Sequence, residues 1–121
     1  MDILDSSRHV KVEVNGEVVA ETARPKVLFE TGLPPRYYIP HEDVREDVLV
    51  PSDHQTQCPY KGTASYHSVE AGGGTAENVV WHYPEPIAAV EKVRDTLSFF
   101  NEKVDLEVDG EAQERPQTQW S

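Results

Sequence analysis

The stretch TASYHSVEAGGGTAENVVWHY, residues 63–83, decides the fold class because it contains two strand-like segments on either side of three glycines. Residues 63–70 alternate between two faces, and residues 75–83 place Trp81 and Tyr83 on one face. A period of two residues is typical of a β-strand, and glycines between two such segments favour a hairpin turn. We therefore expect a long β-hairpin over these residues.

Strand patterns also precede this hairpin. Residues 9–15 and 17–23 alternate on either side of Asn15-Gly16. This pair is the one that type I′ turns prefer, because both central positions of the turn need a positive φ. Further short β-prone segments occur at residues 26–30, 36–39 and 48–50. The N-terminal half is thus predicted to be made of short strands.

Residues 84–101 carry the one helical pattern. Apolar side chains recur there every three or four positions, at Ile87, Val90, Val93, Leu97 and Phe100. This spacing predicts an α-helix over about residues 86–99. Residues 103–108 alternate again and predict a last strand. The expected fold is mainly β, a compact rolled or barrel-like antiparallel sheet of about seven to nine strands, with the one helix covering its open side.

The domain organisation follows from length and polarity. A chain of 121 residues has the size of one domain. We expect a flexible leader over residues 1–8, a single β-rich domain over 9–110 and a flexible polar tail over 111–121.

Charge and composition restrict the partners. The chain has 22 acidic and 11 basic residues, a formal net charge of -11. Nucleic acid is not an expected partner, because duplex binding depends on Lys and Arg neutralising phosphates. No apolar run has the length of a membrane span, so no membrane partner is expected. A single cysteine cannot form an internal disulfide, which favours the cytoplasm.

Reactive and hydrogen-bonding side chains are concentrated in residues 52–66, SDHQTQCPYKGTASY. Cys58 is a candidate nucleophile if Lys61 or His54 lowers the pKa of its thiol, since only the thiolate attacks. The alternative is a cysteine that packs as a small hydrophobe. The candidate catalytic residues are Cys58, Lys61 and His54. A metal site is not predicted, because the chain lacks the two close Cys/His pairs of a structural zinc site.

The same stretch is also a candidate ligand site. Lys61, Gly62 and Thr63 offer an ammonium, a closely approachable backbone and a hydroxyl to an anion, or else only begin a strand. Arg36 and the aromatic side chains could form a pocket of the kind that binds small molecules. Adjacent tyrosines on a strand point to opposite faces, so only one of Tyr37 and Tyr38 can line it. The candidate ligand-binding residues are Arg36, Tyr37, Tyr38, Ser52, Lys61, Gly62, Thr63, Tyr66 and Trp81.

Five segments occur together in the order of a known family: FET at 29–31, PPRYYIP at 34–40, EDVR at 42–45, CPYKGTASY at 58–66 and VWHYP at 80–84. With them the chain resembles the family catalogued as domain of unknown function 427. Some catalogues label that family a nucleotidyltransferase. Polymerase-like transferases place two acidic residues shortly after a glycine turn to hold their metals. Here Gly72-Gly73-Gly74 is followed by Thr75, Ala76, Glu77 and Asn78, which argues against that chemistry.

Three functions are compatible with these patterns. The first is a domain that binds a small molecule through residues 52–66, with anions among the candidate ligands and no cofactor identified. The second is a non-catalytic structural or interaction module, a homodimer joined through sheet edges. The third is an enzyme that depends on Cys58. We rank the binding domain first.

Overall fold

The computed structural model describes residues 2–119, and most of its regular secondary structure is β-strand. Three short segments of 3₁₀ helix, at His41–Asp43, Glu46–Val48 and Ala88–Val93, interrupt them. The strands are β1 (Asp2–Asp5), β2 (Val10–Val14), β3 (Glu17–Thr22), β4 (Lys26–Phe29), β5 (Arg36–Pro40), β6 (Leu49–Cys58), β7 (Gly62–Ala71), β8 (Gly74–His82), β9 (Thr96–Phe99), β10 (Asp105–Val108) and β11 (Glu111–Ala112).

The strands form two antiparallel sheets. Seven of them follow the order β1-β4-β5-β9-β8-β7-β6, and four follow the order β11-β10-β2-β3. The prediction of a mainly β, antiparallel fold is confirmed, but the prediction of a rolled or barrel-like sheet is wrong. The larger sheet ends in β1 on one side and β6 on the other, so it does not close on itself. The smaller sheet packs on one of its two apolar faces.

Two hairpin turns that the sequence predicted lie against each other. Asn15 and Gly16 both have positive φ, 52° and 82°, as a type I′ turn requires. The β7–β8 turn at Gly72 and Gly73 also has positive φ values. Asn15 Nδ2 donates to the carbonyl of Ala71 over 3.1 Å, so the turn of the smaller sheet is bonded to the turn of the larger one.

The larger sheet is apolar on both faces. One face packs on the smaller sheet and forms a core that includes Val10, Val12, Ile39 and Val80. The other face carries a second apolar cluster: Leu28, Tyr38, Ala64, Trp81, Tyr83, Val90, Val93 and Phe100. Among the described residues no second sheet lies over this face, and Val90 and Val93 pack against it.

The predicted covering helix over residues 86–99 is wrong. Ala88–Val93 is a 3₁₀ segment with a kink at Val90, and Thr96–Phe99 is strand β9 between β5 and β8. All four residues of β9 are buried, because the strand is central and covered on both faces. The four residues Thr96-Leu97-Ser98-Phe99 do alternate, but the segment is short, and Leu97 also fits the spacing of three to four positions that links it to Val93 and Phe100. Among residues 2–119, no helical segment has the length and apolar character that crossing a membrane requires.

Three other segments differ from the sequence expectation. Asp2–Asp5, inside the expected leader, is strand β1 and pairs with β4. Glu111–Ala112, inside the expected tail, pairs with β10, while Met1 and residues 120–121 lie outside the described residues. The polar stretch at residues 52–58, for which the sequence predicts no strand, is the end of β6, and a turn joins it to β7. Its polar side chains follow from the exposed edge position of β6.

Candidate functional site

A cavity of about 380 Å³ lies on the face of the larger sheet that the smaller sheet does not cover. We call it the aromatic cavity. It is lined by Leu28, Glu30, Leu33, Arg36, Tyr38, Thr56, Gln57, Cys58, Lys61, Ala64, Tyr66, Trp81, Tyr83 and Phe100. Its volume falls within the range of small-molecule sites, about 300–1,000 Å³. Six of the residues that the sequence singled out, Arg36, Tyr38, Cys58, Lys61, Tyr66 and Trp81, meet here.

The floor of the cavity is a set of aromatic rings from β5, β7, β8 and the residue that follows β9. Trp81 of β8 lies edge-on to Tyr38 of β5, with ring centroids 6.1 Å apart, and its Nε1 donates to the Tyr38 hydroxyl over 3.1 Å. Phe100 lies 4.5 Å from Trp81 and is stacked with Tyr66 at 6.3 Å. A buried indole or phenol needs such a polar partner. The rings are thereby held in fixed positions by the sheet.

Arg36 lines the cavity but is already paired within the protein. Its Nη1 and Nη2 donate to the two carboxylate oxygens of Glu102 over 2.6 and 2.8 Å, and Arg36 is 6% exposed. The hydroxyl of Thr118 donates to Glu102 over 2.5 Å. The guanidinium also lies 5.7 Å from the ring centres of Trp81 and Phe100. Arg36 thus connects the aromatic floor to a buried carboxylate, and breaking such a pair is strongly destabilising.

Burial alone would raise the pKa of Glu102. The hydrogen bonds from Arg36 and Thr118 outweigh it and hold that pKa at about 2, well below the ordinary value. Burial also raises the pKa of Tyr38 to about 12 and raises the pKa of Tyr83 further still. Both phenols are therefore neutral at any physiological pH, and neither can act as a general base.

Lys61 and Glu30 form the second ion pair of the cavity. Lys61 Nζ donates to Oε1 of Glu30, and the two side chains are 15% and 29% exposed. Lys61 belongs to the turn between β6 and β7, and its backbone N–H donates to the carbonyl of Cys58 over 3.2 Å. The turn therefore places the ammonium and the thiol at the same side of the cavity.

The other predicted site residues do not line the aromatic cavity. Tyr37 packs on the core between the sheets, as the alternation of a strand requires for one of two adjacent tyrosines. Ser52 donates to Asn78 over 2.5 Å at a different groove. Gly62 and Thr63 begin β7, and Thr63 is exposed. Gly62 has a φ of 98°, so its role is the turn.

His54 is near the cavity without lining it. Its ring lies 4.6 Å from the ring of Tyr66, on the exposed strand β6. Within residues 2–119, no hydrogen bond joins the Cys58 thiol to His54 or to Lys61. The arrangement of nucleophile, base and orienting group that a thiol enzyme needs is not assembled.

The sequence reasoning did not select several residues of this site, among them three that shape it. Glu30 and Phe100 line the cavity, and Glu102 holds Arg36. Phe100 was assigned to a helix, so its contact with Trp81 could not be anticipated. Glu30 had a usable signal, because it belongs to the FET segment of the family pattern. Glu102 follows an apolar run as one acid among 22 and had none.

A second depression, the histidine cleft, lies on the opposite face of the larger sheet and has a volume of about 400 Å³. His67 and His82, on adjacent strands, have ring centroids 5.2 Å apart, and Nε2 of His41 lies 2.5 Å from Oε1 of Glu46 at its edge. Burial lowers the pKa of His67 and His82, and the neighbouring imidazoles lower it further. Within residues 2–119, no three His, Cys, Asp or Glu side chains are grouped so that they could hold a metal ion.

Comparison with known proteins agrees with the family pattern seen in the sequence. No curated protein matches the chain. The sequence model of one family, described as a domain of unknown function (DUF427), matches residues 2–110. The match covers both sheets except β11, including every residue that lines the aromatic cavity. The chain therefore belongs to the DUF427 family.

Proposed function

We propose that this β-rich DUF427 domain binds a small molecule in the aromatic cavity. The observation that carries the proposal is the open apolar face of the larger sheet. Buried rings of Tyr38, Trp81 and Phe100 line a cavity there, next to the ion pair of Lys61 and Glu30. Apolar concavities with a few fixed polar groups are the usual form of small-ligand sites.

The position of the rings supports binding over a purely structural role. In the core between the two sheets, side chains from both layers fill the space. On the open face, rings on β5 and β8 border empty volume instead. A ligand that covers these rings would gain about 25 cal/mol for each Å² of apolar surface removed from water.

Binding without catalysis is the function we infer. The phenols are neutral, Arg36 is paired with Glu102, and His54 does not reach the Cys58 thiol. In the part of the chain that the structure describes, no group is thus arranged as a general base toward a nucleophile. In this function Cys58 is a small, polarisable side chain that lines the cavity.

Protein-observed NMR with a library of small aromatic compounds tests the proposal. We expect compounds that shift the amide resonances of Ala64 and Tyr66 and the indole Nε1–H resonance of Trp81. Ala64 is 4% exposed and lines the cavity, so Ala64→Leu fills the space that a ligand needs. This variant should lose the shifts, whereas Tyr60→Ala should keep them, because Tyr60 is 74% exposed and does not line the cavity. The proposal is refuted if the compounds shift only resonances of residues outside the cavity. It is also refuted if Ala64→Leu binds the compounds as the unmodified protein does.

A further inference from the structure

The ion pair of Lys61 and Glu30 specifies the charge of the ligand. We propose that the aromatic cavity takes a zwitterion with an aromatic or branched apolar body, of the α-amino acid class. Its carboxylate binds Lys61 and its ammonium binds Glu30. The inference rests on the proposed function, because it names the ligand class of the same cavity.

Only one of the two ion pairs at the cavity can meet a ligand. Arg36 uses both terminal nitrogens on Glu102, and both oxygens of Glu102 accept from Arg36, one of them also from Thr118. The contact of Lys61 with Glu30 is a single hydrogen bond to Oε1. Within residues 2–119, the side chains of Lys61 and Glu30 have no other hydrogen-bond partner, and both are half-buried. The remaining ammonium hydrogens and Oε2 of Glu30 are open to a ligand.

The charge balance favours a ligand that carries both a positive and a negative charge. An anion that binds Lys61 brings its charge next to the carboxylate of Glu30, at an apolar wall where like charges are poorly screened. A cation that binds Glu30 meets Lys61 in the same way. A zwitterion placed against the pair gives every charge an opposite neighbour, so no charge is left desolvated and unpaired. The net charge of the site stays at zero.

The remainder of the cavity determines the body of the ligand. Leu28, Ala64, Trp81 and Phe100 are apolar and buried, and they line the cavity together with the Lys61–Glu30 pair. A molecule with charges at one end and an apolar group at the other matches this division. Free amino acids with large apolar side chains have this chemistry, and the phenyl group of phenylalanine adds favourable contacts with the rings.

A matched series of probes separates the contribution of each charge. L-phenylalanine carries both charges, phenethylamine lacks the carboxylate, 3-phenylpropanoate lacks the ammonium, and 2-phenylethanol has neither. Isothermal titration calorimetry at neutral pH should show that L-phenylalanine binds at least about tenfold more tightly than each of the other three probes. The reason is that L-phenylalanine alone forms both charge-assisted hydrogen bonds, to Lys61 and to Glu30, and both of these side chains are half-buried.

Variants assign each charge to its partner. Lys61→Met should remove the advantage of L-phenylalanine over phenethylamine, and Glu30→Gln the advantage over 3-phenylpropanoate. Lys11→Met and Glu91→Gln make the same charge changes in exposed or half-buried ion pairs that do not line the cavity. These two controls should bind as the unmodified protein does.

The outcomes separate the two proposals. Equal binding of 2-phenylethanol and L-phenylalanine overturns the zwitterion and leaves small-molecule binding intact. The same holds if none of the four probes binds while other aromatic compounds shift the resonances of the cavity. If no compound of any kind occupies the cavity, both proposals are wrong.

Discussion

Replacing Gly72 by alanine should destabilise the protein far more than the same change at its neighbour Gly73. Both glycines have a positive φ, 59° and 81°, so an alanine at either position suffers the left-handed strain of about 1–2 kcal/mol. A Cβ at Gly73 meets nothing within 4 Å. A Cβ at Gly72 would lie 2.6 Å from the Cβ of Asn15 and closer still to the Asn15 carbonyl oxygen. The two hairpin turns would then have to separate.

The separation breaks two hydrogen bonds. These are the 3.1 Å bond from Asn15 Nδ2 to the carbonyl of Ala71 and the 2.8 Å bond from the Gly72 N–H to Glu17 Oε1. At about 1 kcal/mol each, their loss adds about 2 kcal/mol to the strain. We therefore expect a loss in the free energy of unfolding of about 3–4 kcal/mol for Gly72→Ala and about 1–2 kcal/mol for Gly73→Ala.

Urea unfolding followed by circular dichroism measures both variants on the same scale. The difference between them removes the shared φ strain and leaves the cost of separating the turns. A difference below about 0.5 kcal/mol would refute the close contact of the two sheets at this point.

Two further predictions concern pH. The pKa of Glu102 is lowered on folding, so its pairing with Arg36 and Thr118 stabilises the protein above about pH 4.5 and is lost as pH falls toward 2; unfolding measured across this range should show a steep loss that Glu102→Gln lacks. The pKa values of His67 and His82 are also lowered, which stabilises the folded state above about pH 6.5 and less so as pH falls below it. Both imidazoles should titrate below pH 6.5 in NMR, and an ordinary or raised pKa would contradict their burial.

The sequence was informative wherever backbone chemistry is local. Asn15-Gly16 predicted its turn correctly because positive φ at two adjacent positions is a property of those residues. The glycines after Ala71 likewise predicted the β7–β8 hairpin. Thr96–Phe99 was assigned to a helix, because four residues are too few for their alternation to outweigh the helical spacing of Val93, Leu97 and Phe100. Whether such a run is helix or strand depends on the partners it meets, which lie far away in the chain.

The candidate site was predicted only in part, because some of its contacts are local in the sequence and others join distant segments. Lys61 and Cys58 line the same cavity, as we expect for two residues that are three positions apart across one turn. Trp81 and Arg36 are far from that turn in the sequence, and only the pairing of strands in the larger sheet brings them to the same cavity. Glu102 could not be assigned, because its role depends on Arg36, which is 66 positions away in the sequence.

Strand β9 has a consequence for the order in which the protein can assemble. It is four residues long, yet among residues 2–119 it is the only strand that joins β5 on one side of the larger sheet to β8 on the other. On a ribosome, β1, β4 and β5 emerge early and β6, β7 and β8 later, but the two groups stay unjoined until residues 96–99 have been made. Until then both expose open edges to other chains. Completion of the sheet is thus a late event, and long-range closure of this kind slows folding.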